Sequence, residues 1–461
     1  MTLQRTLSEL LSTARMATVH VDEQVAFDGQ HRSAFETDGD KIGFAEGFRA
    51  LADKTQVHDR VERNGNHRNR LTHSIEVSRV GRSLGVAVGA RMISFYGLNA
   101  APTGEAFWRV DPSDIGHVVA AACMAHDIGN PPFGHDGEEA ISAFFAHTET
   151  GQRAVRAAGP EVGAEICHHE GNAQGFRMIT RSQGWRAEGG LNLTAATLGA
   201  FGKYPFPLLE GARKYGVHKA DLETLRFVAD ATGMRRDGQG WIRHPLAWLM
   251  EAADDICYLT VDLEDAAALG IVSSEDMCAL YEPVIGSSEI RKGRRMGDPG
   301  RMVQYLRSRV IKALINGCVE AYPEIAQALE DGGLGDTPHG KGLIAHTRHA
   351  GAMQAIRSFS RESIYQSETT QTARAIFRNA MHDALDLLVS DLLECLRTGE
   401  SRPHARPGLA RLPHARSAVI PDTAEAALPW LLDEITLMSD SQILGLSETA
   451  HRELAAPVPA A

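Results

Sequence analysis

The chain lacks the features that would place it outside the cell or in a membrane. Its six cysteines (123, 167, 257, 278, 318 and 395) form no C-x-x-C pair. Several lie within apolar or helical-looking runs, so they read as buried thiols of a reducing cytosol and not as a disulfide framework. No apolar run approaches the roughly 20 residues that span a bilayer, and the opening MTLQRTLSELLSTARM lacks a signal peptide's uninterrupted apolar segment. These absences predict a soluble, cytoplasmic protein with no membrane partner. An excess of positive charge is missing too. The 47 basic against 59 acidic residues leave a formal net charge of −12, which argues against nucleic acid held by bulk electrostatics while leaving room for a local basic pocket. There is no G-x-x-x-x-G-K-[ST] loop and no strand-linked G-x-G-x-x-G, so a phosphate substrate would be held by metal and side chains.

What is present is helical periodicity, with few runs that alternate as strands do. The 461 residues can form one large domain or two. The pattern predicts a mainly α fold: a polar N-terminal leader over 1–45 with a short helix at 5–16, a core over 46–270, and a C-terminal helical region over 271–461 packing on that core. Helices are expected at 44–57, 71–93, 191–206 (stopping near Lys203), 219–234 and 244–270, the last being the longest of these. Residues 162–182 read as two helical pieces broken at Gly171-Asn172. Helices are also expected at 275–285, 301–330, 340–358, 361–397 and 423–454. Residues 94–115 read as a loop, and the Pro/Arg/His-rich stretch 401–417 as an exposed one.

The chemistry gathers around residues 118–140, VVAAACMAHDIGNPPFGHDGEEA. Val118 to Ala125 is a run too short for a bilayer and apolar enough for a helix buried on every side. Gly129 and Pro131-Pro132 can stop it, which leaves His126-Asp127 at its C-terminal end, where the helix dipole favours a cation. Beyond the turn, Asp136 and Glu139 have the spacing of a capping box. His135 and Glu138 lie three residues apart, a spacing at which a carboxylate can orient an imidazole for acid-base work.

A second apolar helix carries two adjacent carboxylates in EAADDICY. Together with His73 and His126-Asp127, one of them would complete a site for a borderline or hard divalent ion of the Mn²⁺, Fe²⁺, Co²⁺, Ni²⁺, Mg²⁺ or Zn²⁺ kind, with Mn²⁺ or Mg²⁺ expected first. Asp254, Tyr258 and Asp262 fall at i, i+4 and i+8 on one helical stripe, with Asp255 turned about 100° away. A hydroxyl and a carboxylate there could grip a sugar hydroxyl. Arg70, Lys203 and Lys214 interleave with these segments as cations for a polyphosphate.

With these residues in place, the chain resembles the HD-superfamily deoxynucleotide triphosphohydrolases, the bacterial dGTPase and dGTPase-like proteins. The blocks KTQV (54–57), RLTHSIEV (70–77), HDIGNPPFGHDGEEA (126–140), HEGNAQGFR (169–177), LNLTAATLGAFGKYP (191–205) and RHPLAWLMEAADDICYLTVDLEDA (243–266) carry the resemblance in order. A looser echo lies near 361–366 and in LDEITLMSD (432–440). The resemblance implies an HD-domain helical fold with additional C-terminal helices, the HD phosphohydrolase core being 46–270. It implies His73, His126, Asp127 and Asp254 as metal ligands, and His135 as catalytic histidine with Glu138 as its partner. It assigns Tyr258 and Asp262 to the sugar 3′-hydroxyl, and Arg70, Lys203 and Lys214 to phosphates. Gln56 falls near sugar or base, and His169, Tyr365 and Gln366 are further substrate contacts. The implied reaction converts a dNTP to deoxynucleoside and inorganic triphosphate. A homo-oligomer such as a hexamer, dNTP activators and single-stranded DNA are the implied partners. TDGDKI (37–42) and FRAL (48–51) depart from the family's Arg-rich pattern, which bears on nucleotide preference and assembly. The rival expectations are an HD phosphohydrolase acting on nucleoside monophosphates or cyclic nucleotides, and a non-catalytic protein that binds nucleotides or single-stranded nucleic acid.

Overall fold

The structure, a computed structural model, describes residues 9–16, 32–55, 68–95, 111–182, 190–212, 214–268, 270–331, 342–366 and 368–455. The predicted mainly α architecture is borne out. Among the described residues, β-structure amounts to the hairpin Arg236–Asp237 against Gly240–Trp241 and an isolated bridge between Thr55 and Asn69. No helix among them is long and apolar enough to cross a membrane.

The segment read as a polar leader contains a core helix, α1 (Ala34–Phe44). Ser33 and Glu36 cap it reciprocally, and Phe35 and Ile42, seven residues apart, bury one face. Asp38 is fully buried because it accepts from the Thr194 amide (2.9 Å) and hydroxyl (2.6 Å) and pairs with Arg15 (2.7 Å). Of the helix expected at 5–16, the chain already leaves the helical path after Leu10. That expected at 44–57 shortens to Glu46–Ala50 plus a 3₁₀ turn, Leu51–Asp53, and residues 56–57 lie outside the described ones.

Two helices make the centre of the fold, α2 (Arg70–Phe95) and α3 (Pro112–Ala125). Asp111 caps α3 by accepting from Ser113 N, and Pro112 supplies the preset first-turn φ. The helix thus opens inside the stretch expected to be loop 94–115, of which 96–110 lies outside the described residues. The helices cross almost backbone to backbone: a Cβ on Gly85 would stand 2.8 Å from the Cα of Gly116. After α3 comes α4 (His135–His147), whose N-cap is Gly134 and not Asp136. The capping-box reading fails because Phe133 (φ 63°) and Gly134 (φ 57°) both turn left-handed, which starts the helix one residue before Asp136.

The pieces expected in 162–182 are Pro160–Cys167 and Gly171–Arg177, the second running on into a π turn, Met178–Ser182. The break falls at 168–170, since the Glu170 side chain caps the second piece, and Gly171 opens that helix instead of interrupting it. Thr194 caps Ala195–Phe201, which stops at Gly202 beside Lys203. The helix expected at 244–270 is α5 (Ala247–Ala268). It is not the longest: at 22 residues it is exceeded by α2 (26 residues), α6 (Pro299–Asp331, 33 residues) and α7 (Glu368–Thr398, 31 residues). The helix expected at 423–454 is two, α8 (Ala424–Leu437) and α9 (Asp440–Ala455). Ser439 parts them by accepting from Gln442 N (3.2 Å) while Gln442 Oε1 accepts from Ser439 N (2.8 Å). Residues 401–417 are not simply exposed, because Leu409, Leu412 and Ala415 are buried.

Two apolar clusters result. One joins α1, α2, α3, α5 and α6. The other joins α4 to α7, α8 and α9, and includes Leu409 and Leu412. The turn between α3 and α4 runs from one to the other, with Ile128 buried in the first and Phe133 in the second. Each such fully buried aliphatic or aromatic side chain contributes about 1.5–3 kcal/mol, so both ends of the turn are firmly anchored.

Candidate active site

Three helices bring three donor side chains to one point. His73 stands in the first turn of α2, which Asn69 caps through its Oδ1 on Thr72 N (2.9 Å). The tight α2–α3 crossing brings His126, at the C-cap of α3, close to it: the rings lie 5.4 Å apart, inclined at 61°. Asp254 comes from the middle of α5, with Oδ1 3.1 Å from His73 Nε2 and 3.5 Å from His126 Nε2. Ligand atoms of these three residues all lie within 4.8 Å of one another. His126 Nδ1 faces the Cys123 carbonyl at 2.6 Å and can donate to it, which turns the Nε2 lone pair towards the cluster.

The electrostatics favour a cation here. Burial alone would depress the His126 pKa, yet the Asp127 and Asp254 carboxylates lift it to about 9. Burial would likewise raise Asp254, but His126 and His73 hold it well below the usual carboxylate range. Two imidazoles and a carboxylate, with no thiolate, suit a borderline or hard divalent ion, so the donor set fits the expected metal. Asp127 stands slightly outside the cluster. Its Oδ1 is 3.6 Å from His126 Nε2 and accepts from the Asn130 amide, while its Oδ2 pairs with Arg70 Nη1 at 3.1 Å.

Arg70 links this cluster to the second one. A Cβ on Gly134 would collide with its guanidinium, so the glycine that opens α4 also makes room for the arginine. One residue on, His135 Nδ1 donates to Glu138 Oε2 at 2.7 Å, and Glu138 Oε1 accepts from Gly171 N at 2.8 Å. The carboxylate is buried whereas the imidazole is 78% exposed. Burial would raise Glu138, but the His135 hydrogen bond and nearby cations hold it below the usual carboxylate range. The same hydrogen bond raises the His135 pKa. His169 lies close by, buried with no hydrogen-bond partner for Nε2 among the described residues, and burial lowers it to about 4.

The stripe on α5 gains a member from the C-terminal half. Tyr365 stacks on Tyr258 with centroids 5.9 Å apart, and its hydroxyl donates to Asp262 Oδ2. Burial pushes Asp262 up to about 7 and Tyr258 to about 12. Lys203 is paired with Glu251 (3.2 Å) and Lys214 with Glu170 (2.7 Å). Gln366 is exposed, and Gln56 lies outside the described residues. Sequence reasoning missed the partners that aim the two lysines: Glu251, itself fixed by Arg243 at 2.6 Å, and Glu170. Glu251 was within reach, being one helical turn before Asp254.

A mainly helical fold that joins a His-Asp pair at a helix end to a histidine and a distant aspartate is the architecture of the HD-domain hydrolases, and the HD domain model matches residues 70–227. The chain is 37% identical over 373 residues to a deoxyguanosinetriphosphate triphosphohydrolase-like protein of Pseudomonas aeruginosa, with 78% of this chain and 79% of that one covered. It is 33% identical over 453 residues to a protein of the same description from Synechocystis sp., covering 94% and 96%. To the deoxyguanosinetriphosphate triphosphohydrolase of Cronobacter sakazakii it is 34% identical over 277 residues, covering 53% and 52%. The chain belongs to the HD-domain, deoxyguanosinetriphosphate triphosphohydrolase-like family, as the resemblance in its sequence implied.

Proposed function

We propose that the protein hydrolyses deoxynucleoside triphosphates to deoxynucleoside and inorganic triphosphate. The observation that carries this reading is the meeting of His73, His126 and Asp254 from three separate helices, with Arg70 bridging from Asp127 towards the His135–Glu138 dyad. His73, His126, Asp127 and Asp254 would hold a divalent ion, Mn²⁺ or Mg²⁺. When bound, such an ion supplies Lewis acidity to phosphate oxygens and acidifies water.

The chain's own groups divide the remaining work. Water adds to the α-phosphorus and the bond to the 5′-oxygen breaks. His135, kept protonated by the ionised Glu138, gives its Nε2 proton to that departing oxygen. Arg70, Lys203 and Lys214 neutralise the triphosphate, the lysines exchanging their carboxylate partners for phosphate. Asp262, Tyr258 and Tyr365 offer a buried carboxyl and two hydroxyls to the sugar 3′-hydroxyl, and His169 supports the phosphate side.

The test is incubation with each dNTP and Mn²⁺ or Mg²⁺, singly and in mixtures, followed by chromatography. Inorganic triphosphate and deoxynucleoside are expected. Monophosphate with diphosphate as the products would refute the reading.

A further inference from the structure

The turn between α3 and α4 joins the His-Asp pair to the dyad, and a C-terminal carboxylate grips it. Asp440, the first residue of α9, is 4% exposed. Its Oδ1 accepts from the Phe133 amide at 2.8 Å and its Oδ2 from the Thr55 amide at 2.9 Å. The two amides belong to different arms of the site. Phe133 is the left-handed residue that precedes Gly134 and His135. Thr55 bridges to Asn69, the residue that caps α2 ahead of Arg70 and His73. Lys54, fully buried beside Asp440, adds a second tie: its Nζ donates to the Asn130 carbonyl at 2.8 Å and to the Thr436 carbonyl at the end of α8.

The Phe133 conformation needs such a hold. A left-handed non-glycine residue is strained, and persists only where its surroundings over-determine it. Here the hydrogen bond from its amide to Asp440 acts with the stacking of the Phe133 ring on Phe377, at 4.5 Å between centroids. We propose that Asp440 is a positioning residue of the phosphohydrolase site. By bridging the Thr55 and Phe133 amides, it fixes His135 relative to Arg70 and His73. This rests on the reading of His135 as the proton donor.

The experiment uses the full chain with Asp440→Ala and Asp440→Asn. Triphosphate release from dGTP with Mn²⁺ is followed well below the melting temperature of each variant, and amide hydrogen exchange is read at the peptides holding Thr55 and Phe133. Misplacing a reacting group by about 1 Å can cost about 10²-fold, so Asp440→Ala is expected to lose about 10- to 100-fold in kcat with KM within about threefold, and to lose protection at both peptides. Asp440→Asn is expected to fall between, because its amide oxygen can serve one N–H while its NH₂ faces the other. It also decides the matter if the alanine variant does not fold. Full protection in the variants, or lost protection with kcat within twofold of the unaltered chain, would overturn the proposal. Exchange needs no turnover, so a chain that releases no triphosphate from any dNTP sinks the substrate reading, while the exchange result alone still decides whether the clamp exists.

Discussion

The His73–His126–Asp254 cluster and the His135–Glu138 dyad are joined by one turn, yet different forces hold them. The cluster is assembled by tertiary packing: its members sit on three helices of one apolar cluster, His73 is 2% exposed, and His73 and Asp254 lie 181 residues apart. The dyad is local, made within a single turn of α4 on the other apolar cluster, with its imidazole facing solvent. A group that must hold a cation gains from burial, because opposite charges attract more strongly away from water. A group that must pass a proton to a substrate has to be reached.

Four changes would break or sharpen that contrast, from the largest expected effect to the smallest. Replacing His126 with Ala removes a donor from the packed cluster. Loss of the metal's contribution is expected to cost at least about 4 kcal/mol of barrier, or about 10³-fold in rate, with Mn²⁺ binding lost in calorimetry. Retained metal binding and turnover would remove the cluster from the site. His135→Ala acts on the local pair alone, and is expected to lower kcat by about 10²- to 10⁴-fold while Mn²⁺ binds as before. Gly85→Val attacks the packing directly. Its side chain meets the Gly116 backbone, and overpacking of this kind costs about 1–3 kcal/mol, read as a lower urea midpoint together with weaker metal binding. The His135 pKa, followed by NMR, should be unmoved by that change.

The fourth is Glu138→Gln, read by pH. Glu138 raises the His135 pKa through a hydrogen bond and its charge, so the neutral amide should lower it. A general acid works in its protonated form. The alkaline limb of the kcat profile is therefore expected to move to lower pH, and an unmoved limb would assign the proton transfer elsewhere. Away from both groups, His414 offers a control on stability. Its hydrogen bond to Glu434 raises its pKa to about 9, against burial. That pairing stabilises the fold fully below about pH 6.5 and is lost as pH rises through about 9. Because the imidazole is over a third exposed, solvent screening keeps the effect small. The melting temperature should fall over this window slightly more in the unaltered chain than in His414→Gln.

The same contrast explains what could be read from the sequence. Val118 to Asp127 announced itself because an apolar run ending in two polar residues is a local pattern, and the α5 stripe did so because it repeats every four residues. His135 and Glu138 were legible for the same reason. Helix α1 was not: its buried Asp38 looks like a surface charge until Thr194, more than 150 residues away, supplies its donors. Residues 401–417 looked exposed because Pro and Arg dominate them, although Leu409 and Leu412 face the second core. The left-handed pair at 133–134 left no mark either, since Phe is an unusual residue there, and so the cap of α4 was misplaced. Glu251 and Glu170 escaped notice because the lysines they aim arrive from other segments.

The hydrogen bond from the Phe133 amide to Asp440 also has an order in time. A chain is made from its N-terminus, and early segments begin to fold while later ones are still being added. The partner of the Phe133 amide is 307 residues further on, so α2, α3 and α5 can be complete on a ribosome that has yet to deliver the carboxylate fixing the turn between the histidines. A nascent or prematurely ended chain would then carry α2, α3 and α5 without a settled His135, and the proposed hold on the turn would come only with α9.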